Sequence, residues 1–312
     1  MRPMSAESPA SDSDPERTDH RAASATVDVC VVGSANLDLV ASARVLPAPG
    51  ETVLGHHYAE HPGGKGLNQA VAAVRSGART AFVAAVGDDS AAEVLLAVMH
   101  AAGIDTTHVA QRTGVATGRA LIGVADGGEN SIIVVPGANA TVAAEQLPKS
   151  RVVLAQLEVP LATIQDAFRQ ARSHGAITVL NPAPAQLLSR EMLALCDVVV
   201  PNDHEAELLG GVQSLLELGA SAVVVTRGAE GATLTTRDGS THIAPFAVDA
   251  HDTTAAGDTF CGALCARLAA GDRLPVALRF ASAAAAISTT RAGAVPSIPH
   301  ADQVLAFIDA AG

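Results

Sequence analysis

The sequence predicts an α/β fold: a mostly parallel central sheet with helices on both faces, extended by a small β lid. Three observations carry that expectation. Short apolar runs rich in β-branched residues recur along the chain, and Ala- and Leu-rich stretches of helical period separate most of them, the signature of parallel βαβ units. Two regions break the alternation with strand-like patterns and few intervening helices, and these supply the lid.

Residues 1–26 are rich in Ser, Asp, Pro and Arg and hold no apolar segment of signal-peptide length, so they read as a disordered extension. The domain proper is expected over 27–312. Its first strand is Val27 to Val32, and the following "GSANLDLV" delivers Asn36 and Asp38 toward the carboxyl end of the sheet, where ligands of such folds bind. A carboxylate there can accept from two neighbouring hydroxyls, which suits a polyol, although an Asx turn explains either residue alone.

"ETVLGHHYAE" reads as a lid strand, and "HPGGKGLNQA" leads into a helix over Asn68 to Ser76. The glycines resemble a phosphate loop, but the GxxxxGK[ST] spacing fails because Ala59 stands where its first glycine belongs. Close backbone approach to a ligand, with Lys65 and Asn68 adding polar contacts, is one reading; a tight turn with a solvated lysine is the other.

A strand over Thr80 to Val86 and a helix over Ser90 to Ala102 follow, joined by Asp88 and Asp89 as caps. "GRALIGVADGGENSIIVVPGAN" reads as a hairpin turning at Asp126 to Asn130, so the lid strands are expected from about 38–60 and 117–136. Such a lid is also a plausible dimer surface. Strands at Val152 to Leu157, Ile177 to Leu180, Val198 to Val200 and Ala222 to Thr226 complete the sheet, with a helix over Leu161 to His174.

"VVVPNDHEAELL" ends a strand in Asn202 and opens a helix carrying Glu205. An amide and a carboxylate at that junction can organise hydrated magnesium near phosphates, or form an ordinary cap. "VVVTRGAEGATL" turns through Thr226, Gly228 and Gly231, where backbone and a hydroxyl can meet a nucleotide or simply close a glycine hairpin. In "DTTAAGDTF", Asp252 or Thr254 is a capping candidate. If Ala255, Ala256 and Gly257 form the first helical turn, their unpaired amides make an anion hole, with Asp258 beside it as a general base for phosphoryl transfer.

Composition removes other classes. A net charge of −12 repels a phosphate backbone, and one Tyr, six Phe and no Trp leave little for base stacking, so no nucleic-acid partner is expected. No stretch reaches the length of a membrane span; "ASAAAAIS" is a buried helix of small residues. The four cysteines form no CxxC pair and read as buried hydrophobes in a reducing cytoplasm. His56, His57 and His61 match no metal-ligand spacing.

Taken together, "GGKGLNQAVAAVRSGA" and "DTTAAGDTFCGAL" resemble the two signatures of the ribokinase family of ATP-dependent sugar and nucleoside kinases, and the likeness runs from about Val29 to Phe307. The resemblance implies a Rossmann-like kinase fold that phosphorylates D-ribose at O5 with ATP. It makes Asp258 the base and Ala255, Ala256 and Gly257 the anion hole. It places the sugar on Asn36, Asp38, Gly64, Lys65, Gly66, Asn68, Glu158 and Asp258. Nucleotide contacts would fall on Asn202, Thr226, Arg227, Gly228, Ala229, Glu230, Gly231, Gly257, Asp258 and Ser282, with Glu205 organising magnesium. It further implies potassium held by Asp252, Thr254, Ser288, Arg291, Gly293 and Ser297; a cytoplasmic location and a homodimer through the lid are expected from the cysteines and the bare lid edge. Two departures stand out: the 207–220 segment is short for the family by about one helix, and Leu67 stands beside the sugar loop where Ala is commoner. A deoxyribose or nucleoside kinase is the enzymatic alternative, and a non-catalytic sugar-binding regulator the alternative from another class.

Overall fold

The computed structural model describes residues 27–311; the expected N-terminal extension lies outside them. The chain runs through β1 (Val29–Val32), β2 (Asn36–Ala43), β3 (Gly55–Gly63), α1 (Lys65–Arg75), β4 (Thr80–Val86), α2 (Ser90–Ala102), β5 (Val109–Gln111), β6 (Gly118–Ala125) and β7 (Asn130–Val135). It continues through β8 (Val152–Gln156), α3 (Leu161–Ser173), β9 (Ile177–Asn181), α4 (Arg190–Leu193), β10 (Val198–Val199), α5 (Asp203–Leu208), α6 (Gly211–Leu218), β11 (Ala222–Thr226), β12 (Ala232–Thr236) and β13 (Gly239–Ile243). Helices α7 (Ala256–Ala269), α8 (Leu274–Thr289), α9 (Ala294–Ser297) and α10 (Ala301–Ala310) close the chain.

The nine-stranded sheet has the order β13-β12-β11-β10-β9-β8-β1-β4-β5, parallel throughout except for the β11-β12-β13 meander at one edge. Strand β1 shows why both faces are covered: Val29 and Val31 enter the core beneath α1, α7 and α8, whereas Cys30 and Val32 enter the core beneath α3. Between β1 and β8 the strand order reverses, which makes the ends of these two strands the natural ligand site.

The second sheet has four strands in the order β3-β2-β6-β7, with β2 and β6 parallel and the outer pairs antiparallel. Its turn falls between Ala125 and Asn130, as the sequence predicts, while 44–54 connects β2 and β3 without regular structure. Asn36 and Asp38 therefore lie on the small sheet rather than at the end of β1 itself. Asp89 ties the two sheets together: it caps α2 through the amide of Ala92 at 3.1 Å, accepts from Thr117 and pairs with Arg119 at 3.0 Å, both at the root of β6.

Three local expectations are refined. Helix α1 begins at Lys65 rather than near Asn68, because Gly64 turns the chain at a φ of 91°, a conformation that disfavours any residue with a side chain. Leu67, beside the glycine loop, is wholly buried and packs into the core. The 207–220 segment still holds α6, entered through Gly210 and packed by Leu215 and Leu216. All four cysteines are free and buried. Among the described residues no helix is long and apolar enough to cross a membrane.

Candidate active site

Helix α7 carries the centre of the site on its first turn. Its N-cap is Ala255, held at a φ of 58°, and no side chain caps it. Asp252 is not the cap that the sequence suggests: its carboxylate accepts from the amides of Thr254 at 2.9 Å and Gly293 at 2.7 Å, bracing the loop ahead of the helix. The proposed amide set is also altered. The Ala256 amide donates to Thr253 O at 3.2 Å, so in this conformation Ala256 is engaged, whereas the amides of Ala255, Gly257 and Asp258 have no partner among the described residues. Unpaired amides at a helix start favour an anion.

Asp258 is 7% exposed, and both of its carboxylate oxygens are held: Oδ2 accepts from Asn68 at 3.0 Å and Oδ1 from Gln69 at 2.9 Å. These donors come from α1, which lies against α7 at Gly262. A Cβ there would stand 2.3 Å from the Gln69 carbonyl, so only glycine allows this approach. Across the strand-order reversal, Glu158 after β8 accepts from the Ser34 hydroxyl after β1 and from the Lys65 amide at 3.1 Å. Asp38 completes a triangle of carboxylates. Burial, with the charges of Glu158 and Asp258, pushes its carboxyl up to about 7.

Two cavities meet at α7. The smaller, about 240 Å³, is lined by Lys65, Asn202, Glu205, Gly257, Asp258 and Cys261 among others. Lys65 is held charged, above the ordinary lysine range, by Asp258, Glu158 and Glu205 despite its burial. Its side chain thus faces this cavity, not only the sugar loop assigned to it. Asn202 and Glu205 form a reciprocal capping box on α5, with Asn202 accepting at 2.8 Å and Glu205 at 2.9 Å. The capping reading of that motif holds, and the cap places both side chains on the cavity wall.

The larger cavity, about 560 Å³, is bounded by Thr226, Gly228, Ala229, Gly231, Gly257 and Ser282, and its apolar wall includes Phe246 and Phe260. The turn of the β11–β12 hairpin therefore forms part of this cavity's wall. The buried Ser282 hydroxyl has no partner among the described residues, leaving it available to a ligand. Two predicted contacts do not reach this cavity. Arg227 is drawn to Asp203 at 2.9 Å and Thr233 at 2.6 Å, and Glu230 sits on an exposed turn.

Among the described residues no group of three or more His, Cys, Asp or Glu could hold a metal. His56 is paired instead with Asp126 at 2.9 Å. A magnesium ion organised indirectly by Glu205 would take its ligands from phosphate and water, which suits that ion. The segments assigned to potassium meet through the Asp252–Gly293 bond and through the Asp252 amide donating to Thr289 at 3.0 Å. The Ser288 and Ser297 hydroxyls donate within their own helices at 2.8 Å. The Arg291 side chain reaches to Gln303 at 3.5 Å, and as a cation it can offer such a site only its carbonyl.

Sequence reasoning missed Ser34, Gln69, Asn139, Gln156 and Asn181. Asn139 shows why: it donates to Asn36 Oδ1 at 2.7 Å and fixes that amide, yet 103 residues separate the two.

A helix start with unpaired amides, a pinned carboxylate beside it and two cavities that meet there, beyond the ends of β9, β10 and β11, fit a phosphotransferase. The chain belongs to the pfkB family of carbohydrate kinases, whose model matches residues 27–301. It is 42% identical to ribokinase from Haemophilus influenzae over 298 residues, 89% of this chain and 97% of that protein. Ribokinase from Thermotoga maritima superposes with a TM-score of 0.85 at 36% identity, covering 91% of this chain and 99% of the other. Arabidopsis thaliana ribokinase complexed with ribose and ATP gives 0.83 at 28% identity, covering 90% and 98%.

Proposed function

We propose that the protein transfers the γ-phosphoryl group of ATP to O5 of D-ribose, giving D-ribose 5-phosphate and ADP. The observation that carries this reading is the position of Asp258: buried, fixed through both oxygens, and on the turn where the two cavities meet. The larger cavity takes the nucleoside and the smaller the phosphates, with Lys65 beside them. Asn36, Asp38, Gly64, Asn68 and Glu158 take the sugar, whose adjacent hydroxyls match carboxylate and amide acceptors. Asp258 removes the proton of the attacking hydroxyl, while the free amides of Ala255, Gly257 and Asp258 receive charge that develops on the phosphoryl oxygens.

Glu205 would organise magnesium, which when bound would neutralise phosphate charge. Asp252, Thr254, Ser288, Arg291, Gly293 and Ser297 would hold potassium, which when bound would order the loop that presents the amides. Residues 27–312 act as one kinase domain, and the four-stranded sheet serves as its lid, excluding water that would otherwise accept the phosphoryl group. The lid is also the surface by which two copies pair. Residency in the cytoplasm fits the buried free thiols.

ADP release measured with ribose, deoxyribose and a set of nucleosides, with and without potassium, tests the reading. Ribose should give the highest kcat/KM, and absence of ribose turnover would remove it. The Asp258→Asn variant should bind ribose normally while kcat falls about 10²- to 10⁴-fold. Near-normal turnover would refute the assigned base.

A further inference from the structure

Behind Asp258 lies a run of buried side-chain amides. Gln69, on α1 and 0% exposed, uses both hydrogens of its Nε2, one to Asp258 Oδ1 at 2.9 Å and one to Asn181 Oδ1 at 3.0 Å. Its Oε1 accepts from Nε2 of Gln156, buried on β8, at 2.6 Å. Asn181, at the end of β9, donates through Nδ2 to the Val200 carbonyl at 3.0 Å.

One backbone atom sets the direction of the whole run. The Val200 carbonyl can only accept, so Asn181 must turn its amide nitrogen toward it and its oxygen toward Gln69. Gln69 must answer that oxygen with its own nitrogen, which leaves a second N–H for Asp258 and the Gln69 oxygen for Gln156. Flipping any of these amides would set like groups face to face in a buried site, at about 1–3 kcal/mol for each group left unpaired.

We propose that Gln69, oriented by Asn181 and Gln156, is a positioning residue for phosphoryl transfer: it fixes the plane of the Asp258 carboxylate and presents only a donor to it. The inference rests on the reading of Asp258 as the base. Asn68 alone holds one oxygen and leaves the carboxylate free to rotate about that contact; a donor on the other oxygen removes that freedom. The remaining lone pairs of Asp258 then point away from Gln69, toward the acceptor hydroxyl. Gln69 is 0% exposed, with its amide groups spent on Asp258, Asn181 and Gln156, so its removal deletes no substrate contact and the effect belongs to kcat rather than KM.

The test compares Gln69→Leu and the isosteric Gln69→Glu with the native enzyme in steady-state kinetics, using ATP and the best acceptor from the substrate panel. In Gln69→Leu, kcat should fall roughly 10- to 100-fold while both KM values stay within about threefold. In Gln69→Glu an oxygen replaces the N–H facing Asp258, and the added like charge should move the acidic limb of the kcat–pH profile to higher pH. An acidic limb left in place would show that residue 69 does not contact Asp258 and would overturn the proposal. Native kcat in Gln69→Leu, or raised KM with kcat retained, overturns the proposal. If Gln69→Leu does not fold, as judged by circular dichroism, the pH profile of Gln69→Glu decides. Asp258→Asn in the same assay separates the two readings: if it is nearly normal, the base assignment and the inference both fall. If it is inactive while Gln69→Leu is normal, only the inference falls.

Discussion

Asp38 has its carboxyl pushed up to about 7 because it is buried near Glu158 and Asp258, so it takes up a proton where an exposed aspartate would not. The sign follows directly. The folded state holds that proton more tightly than the unfolded state, so the contribution to stability is full below about pH 4 and is lost as pH rises through about 7. Sugar hydroxyls donating to Asp38 favour its ionised form, so ribose binding should release a proton, and affinity should increase as pH rises from about 5.5 to 8. Calorimetry in buffers of different ionisation enthalpy measures that proton. Asp38→Asn should abolish both the release and the slope; an unchanged slope would place the titrating group elsewhere. At this scale the sequence made the centre of the candidate site legible, since Asp258, Asn68 and Lys65 sit in short motifs that the fold brings together. It hid Gln69, Gln156, Asn181 and Asn139, because hydrogen-bonded amides from different strands leave no spacing in the chain. The pairing of Arg227 with Asp203 is hidden in the same way, because 24 residues separate them.

The elements matter through their ends and their contacts. The α7 start was legible as a small-residue turn, but the left-handed Ala255 and the engagement of the Ala256 amide follow from how the 252–255 loop is braced on Gly293. Gly262 is the position at which α7 and α1 meet. Gly262→Ala would drive a Cβ into the Gln69 carbonyl and to 2.5 Å from the Ala72 Cβ, which can be relieved only by parting the helices. The expected cost is about 1–3 kcal/mol in denaturant unfolding, with a fall in kcat as the donors to Asp258 withdraw. Unchanged stability and turnover would show that the helices have room to spare. Asp89 was legible as a cap of α2 but not as the anchor of the small sheet, since Thr117 lies 28 residues away. Burial opposes its ionisation, yet bonds from Thr117, Ala92 and Arg119 hold its carboxyl down at about 2. Its contribution is therefore present above about pH 4 and lost as pH falls toward 2. Asp89→Ala should lower stability by about 1–2 kcal/mol at neutral pH and flatten the acid limb of the unfolding profile, as followed by thermal denaturation.

Across the whole molecule, the alternating pattern of the sequence made the parallel sheet legible, and the break in that pattern made the second sheet legible. What no pattern shows is that β1 and β8 flank the strand-order reversal, which brings Ser34 and Glu158 together and sets the sugar side of the site. The second sheet is half covered. Strand β7 is exposed along its entire length, with Ile132 at 52% and Ile133 at 61%, and it forms a free edge. Side chains on a strand alternate between faces, so Ile132 and Val134 share the face of Asp38 and Val40, while Ile133 and Val135 lie with Leu121 on the other. A strand of that composition left bare at an edge would pair indiscriminately, and a second copy of this chain presents the same apolar strip, so self-association by a two-fold contact satisfies both surfaces at once. The covered face carries Asp38, so pairing would also narrow the approach of water to the sugar. Sedimentation velocity at micromolar concentration should therefore give a dimer for the native protein. The double variant Ile132→Asp, Ile133→Asp, which places a charge on each face of β7, should give a monomer that retains its thermal stability. A native monomer, or a dimer that survives both charges, would put the contact on another surface and leave the strip to serve the lid alone.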